Sequence, residues 1–224
     1  MVDVSDTDED VRLAVYHSFA TRGVPPAAAE LAAVAGGSLA VAKHALHRLA
    51  DAHHVVLNES EHIVMAHPFA SIPLGFSAMG KNTLWWGGCA WDSFAIPHLV
   101  PDEPEVLVAT RCPGCAEPHA WVVGREAPPP GSQVAHFLVP VRRIWDDVVH
   151  TCGHQRVFCG ESCVDGWLAA SGNTKGYVMD LPTLWNLASR WYEGRLDHGY
   201  RRRSPQTSAA YFASVGLTGP FWAP

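Results

Sequence analysis

The sequence predicts an α+β protein in two parts: a winged-helix-like three-helix domain over residues 1–69, then a larger domain of strands and helices over 70–224. Three observations carry this. Apolar residues recur at helical spacing through three short segments before residue 52, and two β-rich runs follow them. After His67-Pro68 the composition shifts to Trp, Gly and Pro, and all the cysteines lie beyond that point.

In the first part, DEDVRLAVYHSFATRG has helical spacing at Val11, Leu13, Ala14, Val15 and Phe19, with acids at its start where the helix dipole favours them. PPAAAELAAVAGG reads as a second helix, opened by prolines and closed by glycines. Ser38 can cap SLAVAKHALHRLADAH, whose stripe is Leu39, Ala42, Ala45, Leu46 and Leu49. HVVLNESEHIVMAHP then reads as two strands around a polar turn.

Such a module invites a DNA-binding reading, and its charges argue against one. The basic residues are Arg12, Arg22, Lys43 and Arg48, and the acids between Asp3 and Glu61 outnumber them. A helix facing phosphates should be more basic. A structural or substrate-covering role is the expectation.

In the second part, EVLVATRC, HAWVVGRE and QVAHFLVPV read as strands, with PPPG as a turn between the last two. CVDGWLAAS starts a helix, and LPTLWNLASRWYEGRL reads as an amphipathic helix with Leu184, Leu187, Trp191 and Leu196 near one face. There is no internal repeat.

A chain of 224 residues, 48% hydrophobic and 17% charged, can bury a full core. Its formal charge of -6 excludes a general affinity for nucleic acid or anionic membranes, and the basic run Arg201 to Arg203 reads as a solvated turn. No apolar run approaches the ~20 residues that span a bilayer, and the start MVDVSDTDED is acidic where a secretory signal is basic. The expected compartment is the cytoplasm. There the six cysteines should be free, metal-bound or catalytic.

The first chemical candidate is Gly87-Gly88-Cys89-Ala90-Trp91-Asp92. The glycines permit a sharp turn, and CAWDSFAIPHL has helical spacing, so Cys89 falls in the first turn with Asp92 on the same face. A helix N-terminus lowers a thiol's pKa. A buried structural cysteine beside a locally capping aspartate is the alternative. Cys112 and Cys115 form a C-x2-C knuckle, and Cys159 and Cys163 a C-x3-C pair opening a helix. Together they resemble a tetrathiolate zinc site of treble-clef type. Cys152 and His154 in HTCGHQ remain, and the other histidines are scattered without an i, i+4 pair beside an acid.

HPFASIPLGF, WWGGCAWDSFAIPHL, RCPGCAEP, VFCGESC and the ending GLTGPFW resemble the organomercurial (alkylmercury) lyase family over nearly the whole chain. The resemblance implies a winged-helix-like domain joined to a core of small antiparallel sheets flanked by helices. It also implies protonolysis of a carbon–mercury bond by two cysteines and an aspartate, matched here by Cys89, Cys159 and Asp92. Mercury would be held by Cys89 and Cys159. Asp92 would move a proton from a thiol to the departing carbon. Trp85, Trp86, Trp91 and Phe94 are the expected walls of an apolar pocket that raises the Asp92 pKa and accepts the organic group.

The expected partners are a small organomercurial, low-molecular-weight thiols and a mercuric reductase receiving Hg(II), with no nucleic acid and no membrane. No organic cofactor is expected, and no phosphate-cradling glycine motif is present. Zinc on Cys112, Cys115 and Cys163 is compatible with this scheme; zinc that also takes Cys159 is not. Two other functions remain open at this point: a non-catalytic metal-binding protein and a metal-responsive regulator.

Overall fold

The computed structural model describes residues 6–224, so the first five residues of the acidic start lie outside the described residues. Helix α1 (Asp6–Arg22) buries Val11, Val15 and Phe19 together with Arg12, Tyr16 and Ala20. That is a ladder at i, i+4 and i+8, which leaves Leu13 and Ala14 half-buried at its margin. Helix α2 (Ala28–Val34) starts where Glu30 reaches back to the Ala27 N–H at 2.7 Å. Helix α3 (Leu39–Asp51) is capped by Ser38, which accepts from Val41 N at 3.3 Å. Its buried stripe is Ala42, Ala45, Leu46 and Leu49, while Leu39 is exposed.

The cations of α3 are neutralised within the chain. Arg48 Nε donates to Asp8 at 2.9 Å, and Lys43 Nζ to Glu61 at 2.7 Å. Charges spent in this way are not presented to a phosphate backbone.

Strands β1 (Val56–Leu57) and β2 (Ile63–Ala66) form a hairpin whose turn is held by Asn58 Oδ1, which accepts from the N–H groups of Ser60 and His62. The hairpin does not stand apart. β2 pairs with β3 (Phe69–Ala70) and starts a seven-stranded antiparallel sheet that adds β4 (Phe76–Met79), β5 (Leu84–Gly87), β6 (Glu105–Arg111) and β7 (Pro118–Gly124). The order is β1-β2-β3-β5-β4-β6-β7. The boundary expected near residue 70 falls inside β3, and one hydrophobic core runs from Val11 to Trp222. This sheet is larger than those the family resemblance implied, because the hairpin extends it.

Helix α4 (Ala90–Leu99) lies across that sheet and is buried on every side but His98. Most of its residues are apolar, as a central helix requires, and Asp92 and Ser93 are buried polar exceptions. A second antiparallel sheet, ordered β10-β8-β9, is built from β8 (Val134–Phe137), β9 (Gln155–Phe158) and β10 (Tyr177–Asp180). A 3-10 turn (Val141–Asp146) and helix α5 (Val148–Gly153) connect β8 to β9, and α6 (Glu161–Ser171) follows β9. Asp147 caps α5 by accepting from His150 N at 2.9 Å.

The helix expected over residues 181–196 is shorter. α7 (Leu181–Ser189) is capped by Asp180 and stops at Arg190, where the backbone leaves helical geometry at φ -127. The chain then makes successive reverse turns, with Glu193 N to Arg190 O, Arg195 N to Tyr192 O and Asp197 N to Gly194 O. The turns aim Tyr192 and Arg195 inward. Helix α8 (Pro205–Ser214), capped by Ser204, completes the fold.

Helix α1 braces that turn segment. Buried Arg12 is paired with Glu9 at 2.7 Å and donates to the carbonyls of Arg195 at 2.7 Å and Asp197 at 2.6 Å. Glu9 in turn accepts from Gly199 N at 2.7 Å. A buried charge is tolerated only when paired and hydrogen-bonded, and this network meets that condition.

Candidate active site

The site forms where the N-terminus of α4, the end of α5, the start of β9 and the turns after α7 converge. Cys89 is the N-cap of α4, one residue earlier than its expected first-turn position, and its sulfur accepts from Asp92 N at 3.4 Å. The thiol has two acceptors, Gln155 Oε1 at 3.0 Å and Asp92 Oδ2 at 3.2 Å, and one proton to give. Cys152, on the last turn of α5, brings its sulfur within 3.8 Å of the same Asp92 oxygen and 3.5 Å of His67 Nε2. Its thiol is also close enough to Cys89 to bear on that group's titration. Tyr192 donates its hydroxyl proton to the other Asp92 oxygen. Cys89, Asp92, Cys152, Gln155 and Tyr192 are all buried.

The second thiol at Asp92 is therefore Cys152, and Cys159 is elsewhere. Its sulfur lies 3.4 Å from that of Cys115, in a cluster with Cys112 and Cys163. The physical reason is the strand between them. β9 is extended, so Cys152 and Cys159 emerge at its two ends and cannot meet one ligand.

Burial controls the electrostatics. It raises the Asp92 pKa to about 6 against the opposing hydrogen bonds from Tyr192 and Cys89 and the charge of Arg195. It also drives the Cys89 thiol well upward, helped by the hydrogen bond with Cys152 and the charge of Asp92. The thiolate-favouring effect expected at a helix N-terminus is overridden here. For Cys152 the hydrogen bond from Cys89 pulls downward, but burial and Asp92 win and the pKa is raised. Burial, with Arg195 and Arg202 nearby, lowers His67 to about 3, so its ring is neutral at pH 7. Both thiols rest protonated beside a carboxylate tuned close to neutrality.

A cavity of about 90 Å³ opens on these groups, walled by Trp91, Ile144, Trp145, Trp191 and Tyr192. Of the four residues expected to wall it, Trp91 alone does so. Trp85 is deep core and donates to Phe19 O at 2.7 Å; Phe94 packs on Trp121; Trp86 projects from the far face of the sheet. Strand alternation separates Trp85 from Trp86, and α4 turns Phe94 away from Asp92. Arg202 and Arg203, expected in a solvated turn, are half-buried at the cavity, with Arg202 over the Trp145 ring and Arg203 over Trp191. Arg195 lies over Tyr192 and donates to His67 O at 3.0 Å, which fixes the cavity's back wall.

The paired glycines before Cys89 serve closeness rather than a special turn. A Cβ on Gly88 would meet Asp92 Oδ2 at 2.2 Å, and one on Gly87 would meet Ser93 Oγ at 2.0 Å. Gly88→Ala must therefore displace the carboxylate. It is expected to lower turnover about 10- to 100-fold with the fold retained, as misplacements near 1 Å do. Steady-state kinetics beside a circular dichroism spectrum checks this.

Residues 69–193 match the sequence model of MerB, alkylmercury lyase. This chain belongs to the alkylmercury lyase family. Its fold is similar to that in a crystal structure of the mercury-bound form of MerB2, with a TM-score of 0.65 and 16% identity, covering 87% of this chain and 94% of that one. No curated protein matches it significantly. Cys89, Asp92, Cys152, Gln155 and Tyr192 all fall within the matched segment of this lyase.

Sequence reasoning found Cys89 and Asp92 and missed Gln155, Tyr192, His67 and Arg195. It named Cys152 without assigning it. Tyr192 and Arg195 lie inside the helix expected over 181–196, whose apolar face is Leu184, Leu187, Trp191 and Leu196, so its periodicity gives them no role.

Proposed function

We propose that this alkylmercury lyase cleaves the carbon–mercury bond by protonolysis with Cys89, Cys152 and Asp92. The observation that carries the reading is two buried thiols hydrogen-bonded to one buried carboxylate at the floor of a cavity with aromatic walls. Mercury(II) is soft and takes thiolate ligands in preference to the oxygen donors around it. The aromatic walls suit the attached alkyl or aryl group.

The substrate arrives as a small-thiol adduct, R–Hg–SR′. Cys152 exchanges with the carrier, and its proton leaves on R′SH. Cys89 then gives its proton to Asp92, 3.2 Å away, and adds to mercury as a thiolate. The extra electron density weakens the bond to carbon. Asp92 returns the proton to the carbon as the carbon–mercury electron pair leaves with it. The products are the hydrocarbon R–H and a bis-thiolate Hg(II) on Cys89 and Cys152, so no atom is oxidised or reduced.

Tyr192 holds Asp92 in place through its other oxygen. Gln155 competes for the Cys89 proton until mercury binds. A carboxylate near pKa 6 is suited to both halves of the transfer, being ionised enough to accept at neutral pH and acidic enough to donate. Hg(II) would leave to a small thiol or to the cysteines of a mercuric reductase.

Purified protein incubated with phenylmercury and excess thiol should release benzene in amounts that track enzyme concentration. No benzene above the thiol-only control would defeat the reading.

A further inference from the structure

We infer that Cys112, Cys115, Cys159 and Cys163 form a tetrathiolate zinc site whose task is to lock β9, and through it Cys152, against the large sheet. The positioning half of this rests on the role given to Cys152 above, whereas the metal half does not.

The four sulfurs lie within 4.8 Å of one another, and all four cysteines are free. A tetrahedron with zinc–sulfur bonds of about 2.3 Å has sulfur–sulfur edges of about 3.8 Å. The Cys115 to Cys159 separation of 3.4 Å is close to such an edge and far beyond the ~2.05 Å of a disulfide.

The scaffold around the sulfurs is built to hold them. Cys112 and Cys115 sit on the turn between β6 and β7, tightened by Ala116 N to Cys112 O at 2.8 Å and Cys112 N to Glu117 O at 2.9 Å. Cys163 lies in the first turn of α6, packed so closely on the knuckle that a Cβ on Gly114 would meet its carbonyl oxygen at 2.5 Å. The guanidinium of Arg156, near Cys112, is placed to offset the excess negative charge of four thiolates, and His119 Nε2 lies 3.6 Å from the Cys159 sulfur.

Packing gives an independent reason for a metal. Cys112, Phe158, Val164 and Leu168 form a small core of their own, separate from the main one. So few buried residues hold a helix weakly, and a structural metal is a common remedy. The cluster also bridges two sheets, since Cys112 and Cys115 lie on the turn joining two strands of the seven-stranded sheet while Cys159 directly follows β9 of the three-stranded one. At the opposite end of β9, Gln155 accepts from Cys89, and Cys152 lies three residues earlier.

Protein purified from zinc-replete medium without added mercury should carry one zinc per chain by elemental analysis. Its cobalt-substituted form should show thiolate-to-cobalt charge-transfer absorption. Cys115 is exposed, so replacing it removes a ligand with little packing loss. Cys115→Ala should lose the metal, speed amide hydrogen exchange across residues 155–158 and lower turnover about 10- to 100-fold. Cys115→His, which restores a ligand, should recover all three.

Wild-type protein with no stoichiometric zinc would overturn the proposal. So would a metal-free Cys115→Ala whose exchange across 155–158 matches wild type. Both readouts are taken without mercury, so a zinc-bearing protein that releases no benzene would count against the lyase mechanism alone.

Discussion

Cys152→Ser is expected to lower hydrocarbon release about a thousandfold or more, whereas Cys89→Ser and Cys152→Ser together should be scarcely worse than either alone. Residues that act as one unit lose their effect together, and their single-site penalties do not add. Both thiols face one Asp92 oxygen, at 3.2 and 3.8 Å, and mercury needs both to become electron-rich enough to release carbon. A serine hydroxyl keeps the size of the group and removes its softness, so the loss reports on chemistry. Either variant should retain its zinc. Equal turnover for Cys152→Ser and wild type would remove Cys152 from the mechanism.

Asp92→Asn is expected to abolish the proton transfer, lowering turnover about 100- to 10,000-fold, while making the folded protein more stable. The two effects have one cause. Burial raises the carboxyl pKa from 3.8 to about 6. Between those values the unfolded chain ionises first and the folded state holds its proton, so stability falls as pH rises and the loss is complete above the folded pKa. At 1.36 kcal/mol per unit, the ionised Asp92 costs the native state on the order of 3 kcal/mol at pH 7. Asn is isosteric and uncharged, and can still accept from Tyr192. The variant's gain in melting temperature should be largest above pH 6 and vanish below about pH 4.

Activity has its own pH signature. The wild-type carboxylate must be free to accept the Cys89 proton, so kcat/KM should fall as pH drops through about 6. A profile flat from pH 5 to 8, with Asp92→Asn still active, would show that another group moves the proton.

Local periodicity is enough to specify the helices and strands, including the cap at Ser38 and the apolar stripe of α3. Sequence spacing also determined the nearness of Cys89 and Asp92, because three residues across a helix start fix their separation whatever the rest of the chain does. The spacing C-x2-C and C-x3-C announced a four-thiol cluster, and a cluster that takes four of six cysteines leaves Cys89 and Cys152 as the remaining pair. That arithmetic is legible in the sequence, whereas the family resemblance carried by VFCGESC implies Cys159 instead.

Which thiol meets Asp92 depends on the three-dimensional packing of β9. Cys152 and Cys159 are seven residues apart, yet the extended β9 carries one to the cavity and the other to the knuckle. The end of α7 at Ser189 also frees Tyr192 and Arg195 from the expected helix and makes them the support and wall of the site. The pKa of Asp92 was likewise beyond sequence. Desolvation depends on what covers a carboxylate, and the groups around it come from α5, β9 and a segment a hundred residues away.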